Sequence, residues 1–361
     1  MPASLTIAQC LDLINSTRSD FTPNKLSAVL NYTRYDSMND LAKYKKTTTG
    51  IDYTSNIQLE DATNGGAVGM LFHQDVSNIN DTDQKVRTYL KRYTNNCTYD
   101  RIQLSVNKGD KIKEYDYLKS KKLAMYRKAA DDIQQAKWSV PASSSDTLSI
   151  TGIPGLITKG TNNTAGFTGG AGTYLDGNTF NVGGLSSTTY SQWTNYYDDH
   201  NGNLDDTLFD RLGDACRATD FEAPNMPNGM AIDGVGENMP DKVQFYTTNN
   251  VIKMIEKMLR NSDDSIRYDL GKHNGKAVYK SIPFNYVKLL DTVQAYLWGT
   301  DPIYAINYDE IVPLVLDGWY FDVDQDRNAW SSTVITQYVN LIYAYHVFNK
   351  KNAGFLISQL S

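Results

Sequence analysis

Apolar residues recur at three- to five-residue steps from Ile112 through Tyr115, Leu118, Leu123, Tyr126 and Ala130 to Ile133. Asp110 follows Gly109 as a candidate N-cap, and Pro141 stops the pattern. The spacing predicts a helix over 110–138, about 43 Å long at 1.5 Å per residue. Its apolar stripe is narrow, which suits an exposed spine better than a buried core helix. Leu204, Leu208, Leu212 and Ala215 predict a second helix over Leu204–Arg217. A third follows over Val251–Leu259, capped by Thr248 or Asn249. Short helices are expected over Leu5–Leu13 and Asn24–Asn31.

Strand patterns fill the rest. Val68–Phe72 is a short apolar run, and Val86–Tyr93 and Thr98–Val106 alternate, with Asn95-Asn96 as a turn between them. They are thinly apolar, as expected of a protruding hairpin whose apolar face another chain covers. Further strands are predicted at Lys242–Tyr246, Ala277–Tyr279, Phe284–Val287 and Ile303–Ile306, with Ile311–Val315 and Trp319–Phe321 extending the pattern. Thr333–Phe348 is a long β-type run, and Gly354–Ile357 follows a turn at Lys350–Ala353. The segment 142–190 is rich in Gly, Thr, Ser and Asn and reads as a long loop ordered by function or by a partner.

Charge sharpens this outline. The 361 residues carry a net −6, but 85–137 holds 14 Lys/Arg against 6 Asp/Glu. Its +8 lies between a −4 segment (1–84) and a −10 segment (138–361). An exposed helix face explains part of that asymmetry, and contacts to acidic neighbours or to phosphate the rest. There are 25 Tyr and about 30 Asn, a composition suited to surfaces that meet other proteins. The three Cys are far apart, which fits reduced thiols. Neither a signal peptide nor a run approaching the roughly 20 apolar residues of a membrane span is visible.

Catalytic and metal patterns are weak. The chain has no phosphate loop, no His-Glu-x-x-His, no Gly-x-Ser-x-Gly and no dinucleotide fingerprint, so no cofactor is expected. Asp322-x-Asp324-x-Asp326 starts like a calcium loop, but Arg327 and Thr333 stand where the turn Gly and the bidentate Glu belong. Asp198-Asp199-His200 with Asp205-Asp206 gathers oxygen ligands, yet a helix cap at Asn203 or Asp205 is the simpler role. His73, His273 and His346 have no partner nearby in sequence, and Cys216 reads as a small buried residue. Lys119, Lys121, Lys122, Arg127 and Lys128 form an exposed basic helix face suited to non-specific phosphate contact.

The order of these parts is informative: an arm, a long hairpin, a long basic helix, a Gly-rich loop, an α/β middle and a long returning strand. Gly183-Gly184-Leu185, Thr188, Tyr190, Trp193 and Asn195 precede the second helix; Lys242–Thr247 precedes the third; Asn349–Gly354 makes a basic turn before the last strand. In this the chain resembles the major capsid proteins of tailed double-stranded DNA bacteriophages, the HK97-like fold shared with encapsulin shells. The resemblance implies an α+β chain with an N-terminal arm (1–48), an extended β-hairpin loop (49–108) and a peripheral domain (109–222) with spine helix 110–138 and loop 142–190. An axial α/β domain (223–330) and C-terminal strands returning to the peripheral domain (331–361) complete it.

The resemblance further implies hexamers and pentamers of one chain in an icosahedral shell, assembled in the host cytoplasm and enclosing double-stranded DNA. Portal and scaffolding proteins, and in some shells a decoration protein, would be partners; no membrane and no enzymatic activity are implied. The short arm points to a separate scaffolding protein, and no reacting pair is identifiable for covalent cross-linking, so a non-covalent shell is expected. Lys85, Arg87, Lys91, Arg92 and Arg101 join the five spine cations as candidates for facing DNA or neighbouring subunits, and charge reversal at Lys121 and Lys122 is expected to impair assembly. The alternatives are an encapsulin-like shell, a soluble α/β enzyme using the Asp198–Asp206 cluster, and a carbohydrate-binding protein.

Overall fold

The structure, a computed structural model, describes residues 36–59, 83–100, 111–160, 165–202, 204–205, 207–219, 221, 242–261, 277–279, 282–292, 294, 297–323, 327–328 and 334–359. For 111–120, 259–261 and 327–328 it describes the backbone alone. In chain order the elements are α1 (Asp36–Tyr44), β1 (Lys46–Thr48), β2 (Asp52–Gln58), β3 (Asp83–Tyr89), β4 (Lys91–Asp100) and α2 (Lys111–Lys137). Then come α3 (Ile153–Leu156), β5 (Gly166–Gly169), β6 (Gly172–Thr173), β7 (Thr179–Phe180), β8 (Asn195–Asp199) and α4 (Thr207–Ala218). The chain continues through β9 (Val243–Thr247), α5 (Asn249–Asn261), β10 (Val278–Tyr279), β11 (Ile282–Tyr286), β12 (Thr300–Asn307) and β13 (Ile311–Leu316). It ends with β14 (Asp322–Val323), β15 (Arg327–Asn328), β16 (Val334–Val347), α6 (Lys350–Ala353) and β17 (Gly354–Gln359). The expected helices over 5–13 and 24–31 and the run 68–72 lie outside the described residues.

Two compact units divide the chain: 1–49, 90–137 and 314–343 form one, and 50–89, 138–313 and 344–361 the other. In the first, the long helix α2 lies on β4. Met125 and Ala129 repeat every four residues with Ile133 and Lys137, and all four are buried. The buried stripe thus runs one position off the expected Leu123–Tyr126–Ala130 row. The reason is that α2 meets two neighbours. Met125 packs with Cys97, Tyr99, Ile335 and Val339, while Lys137 reaches Asp40 of α1 in a buried ion pair. Gln134 Oε1 accepts from the Ser37 backbone N–H at 3.0 Å.

The Asn95-Asn96 turn is not formed. Both asparagines lie inside β4, which pairs antiparallel with β16 from Lys91↔Tyr343 to Asp100↔Val334. Asn95 Nδ2 donates to the Met125 carbonyl at 2.8 Å, so the helix uses the amide that the sequence suggests for a turn. The hairpin is instead β2 with β3, in register from Asp52↔Tyr89 to Gln58↔Asp83.

The second unit is built on a seven-stranded mixed sheet in the order β10-β11-β9-β12-β17-β8-β5. Ile303 and Ala305 of β12 face one core with Phe245, Phe355, Leu208, Leu212, Val251 and Ile255. The alternate Tyr304 and Tyr246 face the other way, where Trp138 meets Tyr246 edge-on at 5.3 Å and Tyr304 at a tilt at 5.4 Å between ring centres. A sheet covered on both faces explains why these strands are continuously apolar. The segment 142–190 has more structure of its own than expected: α3, three short strands and a web of hydrogen bonds. Asn195 Oδ1 accepts from the Thr158 N–H at 2.9 Å while its Nδ2 donates back to the Thr158 carbonyl at 2.8 Å. Trp193 Nε1 donates to the Val182 carbonyl at 2.9 Å.

Candidate functional site

In the β2–β3 hairpin alternation splits the residues between two faces. Lys85, Arg87 and Tyr89 are exposed, whereas Val86 is 1% exposed and Thr88 half-buried. Arg87 Nε donates to Asp52 Oδ2 at 2.6 Å, and its guanidinium lies 4.9 Å from the Tyr89 ring. The inner face is not left for another chain. His346, wholly buried on β16, meets Ser55 Oγ at 2.8 Å through Nε2 and Thr88 Oγ1 at 2.9 Å through Nδ1. Tyr53 lies edge-on to His346 and Phe348, and Val86 sits against Gly183, where an added Cβ would come within 2.5 Å of Val86 Cγ1 and the φ of 63° itself favours glycine.

The other sequence candidates separate by environment. Arg92 is exposed on β4 and Lys91 half-buried. On α2, Lys121 and Lys128 are exposed and Arg127 half-buried, while Lys128 pairs with Asp132 one turn on, at 2.5 Å. Lys122 corrects the expectation of a uniform basic face: it is 4% exposed, on the buried stripe three residues before Met125. Lys119 lies on α2, and Arg101 lies outside the described residues.

The structure also gathers cations that sequence spacing did not connect. Lys45 Nζ stands 3.4 Å from the centre of the Tyr320 ring, and the Arg92 guanidinium 5.5 Å from that of Trp319. Two cations more than 40 residues apart therefore flank one Trp-Tyr dipeptide. Arg92 Nη2 also donates to Asn340 Oδ1 at 2.8 Å. Next to Lys45, exposed Lys43 lies 4.9 Å from the Tyr44 ring. The aromatic content was visible in the sequence; the topology that brings 319–320 to β1 and β4 was not.

The described members of the acidic cluster are tied into the fold, and Asp206 lies outside the described residues. Asp198 is buried, desolvation raises its pKa, and Arg211 Nη1 donates to it at 2.8 Å. His200 is buried and its pKa is lowered by that burial; Nε2 faces the Asp301 carbonyl at 3.3 Å, and Nδ1 accepts from the Gly202 N–H at 3.1 Å. Asp205 Oδ1 takes the Thr207 N–H at 3.1 Å, as the cap reading expects. Among the described residues no group of three or more His, Cys, Asp or Glu could hold a metal, and no helix is long and apolar enough to cross a membrane. Asp324 and Asp326 lie outside the described residues.

No protein-family model matches the sequence, and no curated protein matches it. Solved structures do. The capsid asymmetric unit of Cyanophage A-1(L) is 12% identical, covers 96% of this chain and 99% of its own, and superposes with a TM-score of 0.64. The capsid of a native GTA particle is 11% identical over 94% of this chain and 95% of its own, with a TM-score of 0.51. The likeness runs the length of both chains, and from it we conclude that this chain has the α+β HK97-like capsid fold.

Proposed function

We propose that this chain is a major capsid protein, a structural and non-enzymatic subunit that assembles through hexamers and pentamers into an icosahedral shell around double-stranded DNA. The observation that carries the reading is the superposition on a phage capsid subunit across 96% of the chain. The arrangement of the parts supports it. A two-stranded ribbon is marginal alone, and here the β2–β3 ribbon is clamped through one face while presenting Lys85 and Arg87 on the other. Under this reading the virion shell is the protein's location, and scaffolding, portal and, in some shells, decoration proteins are its assembly partners. The basic residues Lys85, Arg87, Lys91, Arg92, Arg101, Lys119, Lys121, Arg127 and Lys128 divide between subunit contacts and DNA.

Electron microscopy and light scattering of the purified chain test the proposal. Rings of five and six subunits or closed particles are expected as concentration rises. A monomer at every concentration, with and without phage assembly partners, would overturn it. Closed particles that enclose protein cargo and no nucleic acid would reassign the chain to a compartment shell.

A further inference from the structure

Several surface cations of this protein are matched by carboxylates. Arg87 pairs with Asp52, Lys128 with Asp132, Arg217 with Asp214 and Lys242 with Asp309. Lys43, Lys45 and Arg92 are held differently. Aromatic rings and one amide position them, and none makes an ion pair with a described carboxylate. A ring or an amide fixes a cation's place without cancelling its charge. The acids nearest in sequence, the exposed Asp317 and the half-buried Asp322, flank the Trp319-Tyr320 dipeptide, but neither pairs with these three.

From this we infer that Lys43, Lys45 and Arg92, set on Tyr44, Tyr320 and Trp319, form a contact surface for the phosphate backbone of a nucleic acid. Fixed, uncompensated cations suit a polyanion that offers many equivalent phosphates and demands no single geometry. That the polyanion is duplex DNA rests on the shell reading above. The hairpin cation Arg87, already neutralised by Asp52, is on this view a poorer phosphate ligand.

The test is fluorescence anisotropy of a labelled random-sequence DNA duplex with full-length subunits kept below their assembly concentration, titrated over salt. Replacing Lys43→Gln, Lys45→Gln and Arg92→Gln together should weaken binding and reduce the slope of log affinity against log salt by about 3, near one per cation lost. Lys43→Gln with Lys45→Gln leaves the Arg92–Asn340 bond intact and should reduce it by about 2. Lys242→Gln, at a cation already matched by Asp309, should leave it unchanged. An unchanged slope in the double variant, with the circular dichroism of the parent, overturns the inference. So does polyglutamate competing as well as DNA, which would assign the surface to an acidic protein segment. Particle formation by the unmodified chain is scored separately: shells from a chain whose slope ignores these residues sink this inference and spare the shell reading.

Discussion

Lys137 is wholly buried at the last turn of α2 and is held by Asp40, itself 5% exposed. Removing one partner of a buried pair strands the other charge away from water, which typically costs about 3–5 kcal/mol. Asp40→Ala and Lys137→Ala should each lower stability by that order in urea denaturation. The double replacement Asp40→Leu with Lys137→Met should lose clearly less, because no charge is left unpaired; equal losses in all three would exclude this account. Lys350 is the contrasting case. It is wholly buried, and its ammonium donates to the Gly170 carbonyl and toward Thr158 Oγ1, with no carboxylate opposite among the described residues. Burial pushes its pKa from 10.5 down to about 7. The unfolded chain therefore holds this proton between pH 7 and about 10 while the folded one has released it, so stability should rise with pH across that window. Below pH 7 the buried charge is a standing cost. Lys350→Met should raise the urea midpoint at pH 7 and flatten its rise toward pH 9; a parallel rise in both proteins would refute the assignment.

Elements show where sequence patterning is sufficient. The helix α2 was legible because a 27-residue amphipathic run with a following Pro needs no tertiary information; Asp110, its candidate cap, lies outside the described residues. Five strands of the seven-stranded sheet, β9, β10, β11, β12 and β17, were legible from their apolar runs, whereas β5 (Gly-Phe-Thr-Gly) and β8 (Asn-Tyr-Tyr-Asp-Asp) carry no such run and were not. The hairpin was not, because its register depends on pairings the local sequence does not state. Asn95-Asn96 has turn chemistry, but the ladder to β16 and the bond from Asn95 to Met125 override it. His346 lacked any sequence partner because its partners, Ser55 and Thr88, are over 250 residues away. That bridge gives a test at this scale. His346→Ala removes both hydrogen bonds and the ring against Tyr53, while most of β16 keeps its pairing with β4. Trypsin should then cut faster after Lys85 and Arg87, on the ribbon, with circular dichroism little changed. Cleavage at the parent rate would mean that Val86 against Gly183 suffices to hold the ribbon.

For the molecule as a whole, the net −6 hides the organisation that matters. The sequence placed +8 over 85–137 as one block; the fold distributes it over both units and buries Lys122 and Lys137. What the chain can offer a neighbour is thus smaller and more local than the sum suggests. Lys85 is exposed on the ribbon's outer face, whereas α4 exposes Asp210. If copies meet through such opposite faces, their attraction is between solvent-exposed charges. It should then fade as the Debye length falls from about 10 Å in 0.1 M salt to about 3 Å in 1 M. Assembly followed by light scattering should accordingly slow with salt. Lys85→Glu should slow it at low salt and make the remaining rate less sensitive to salt, because the steering charge is gone. Lys121→Glu should act in the same direction if the spine also faces a neighbour. Lys122→Glu should instead lower subunit stability, because that site is inside the fold and not on its surface. Assembly that is indifferent to salt and to Lys85→Glu would move the driving force to apolar contact and leave the basic ribbon as a solvated edge.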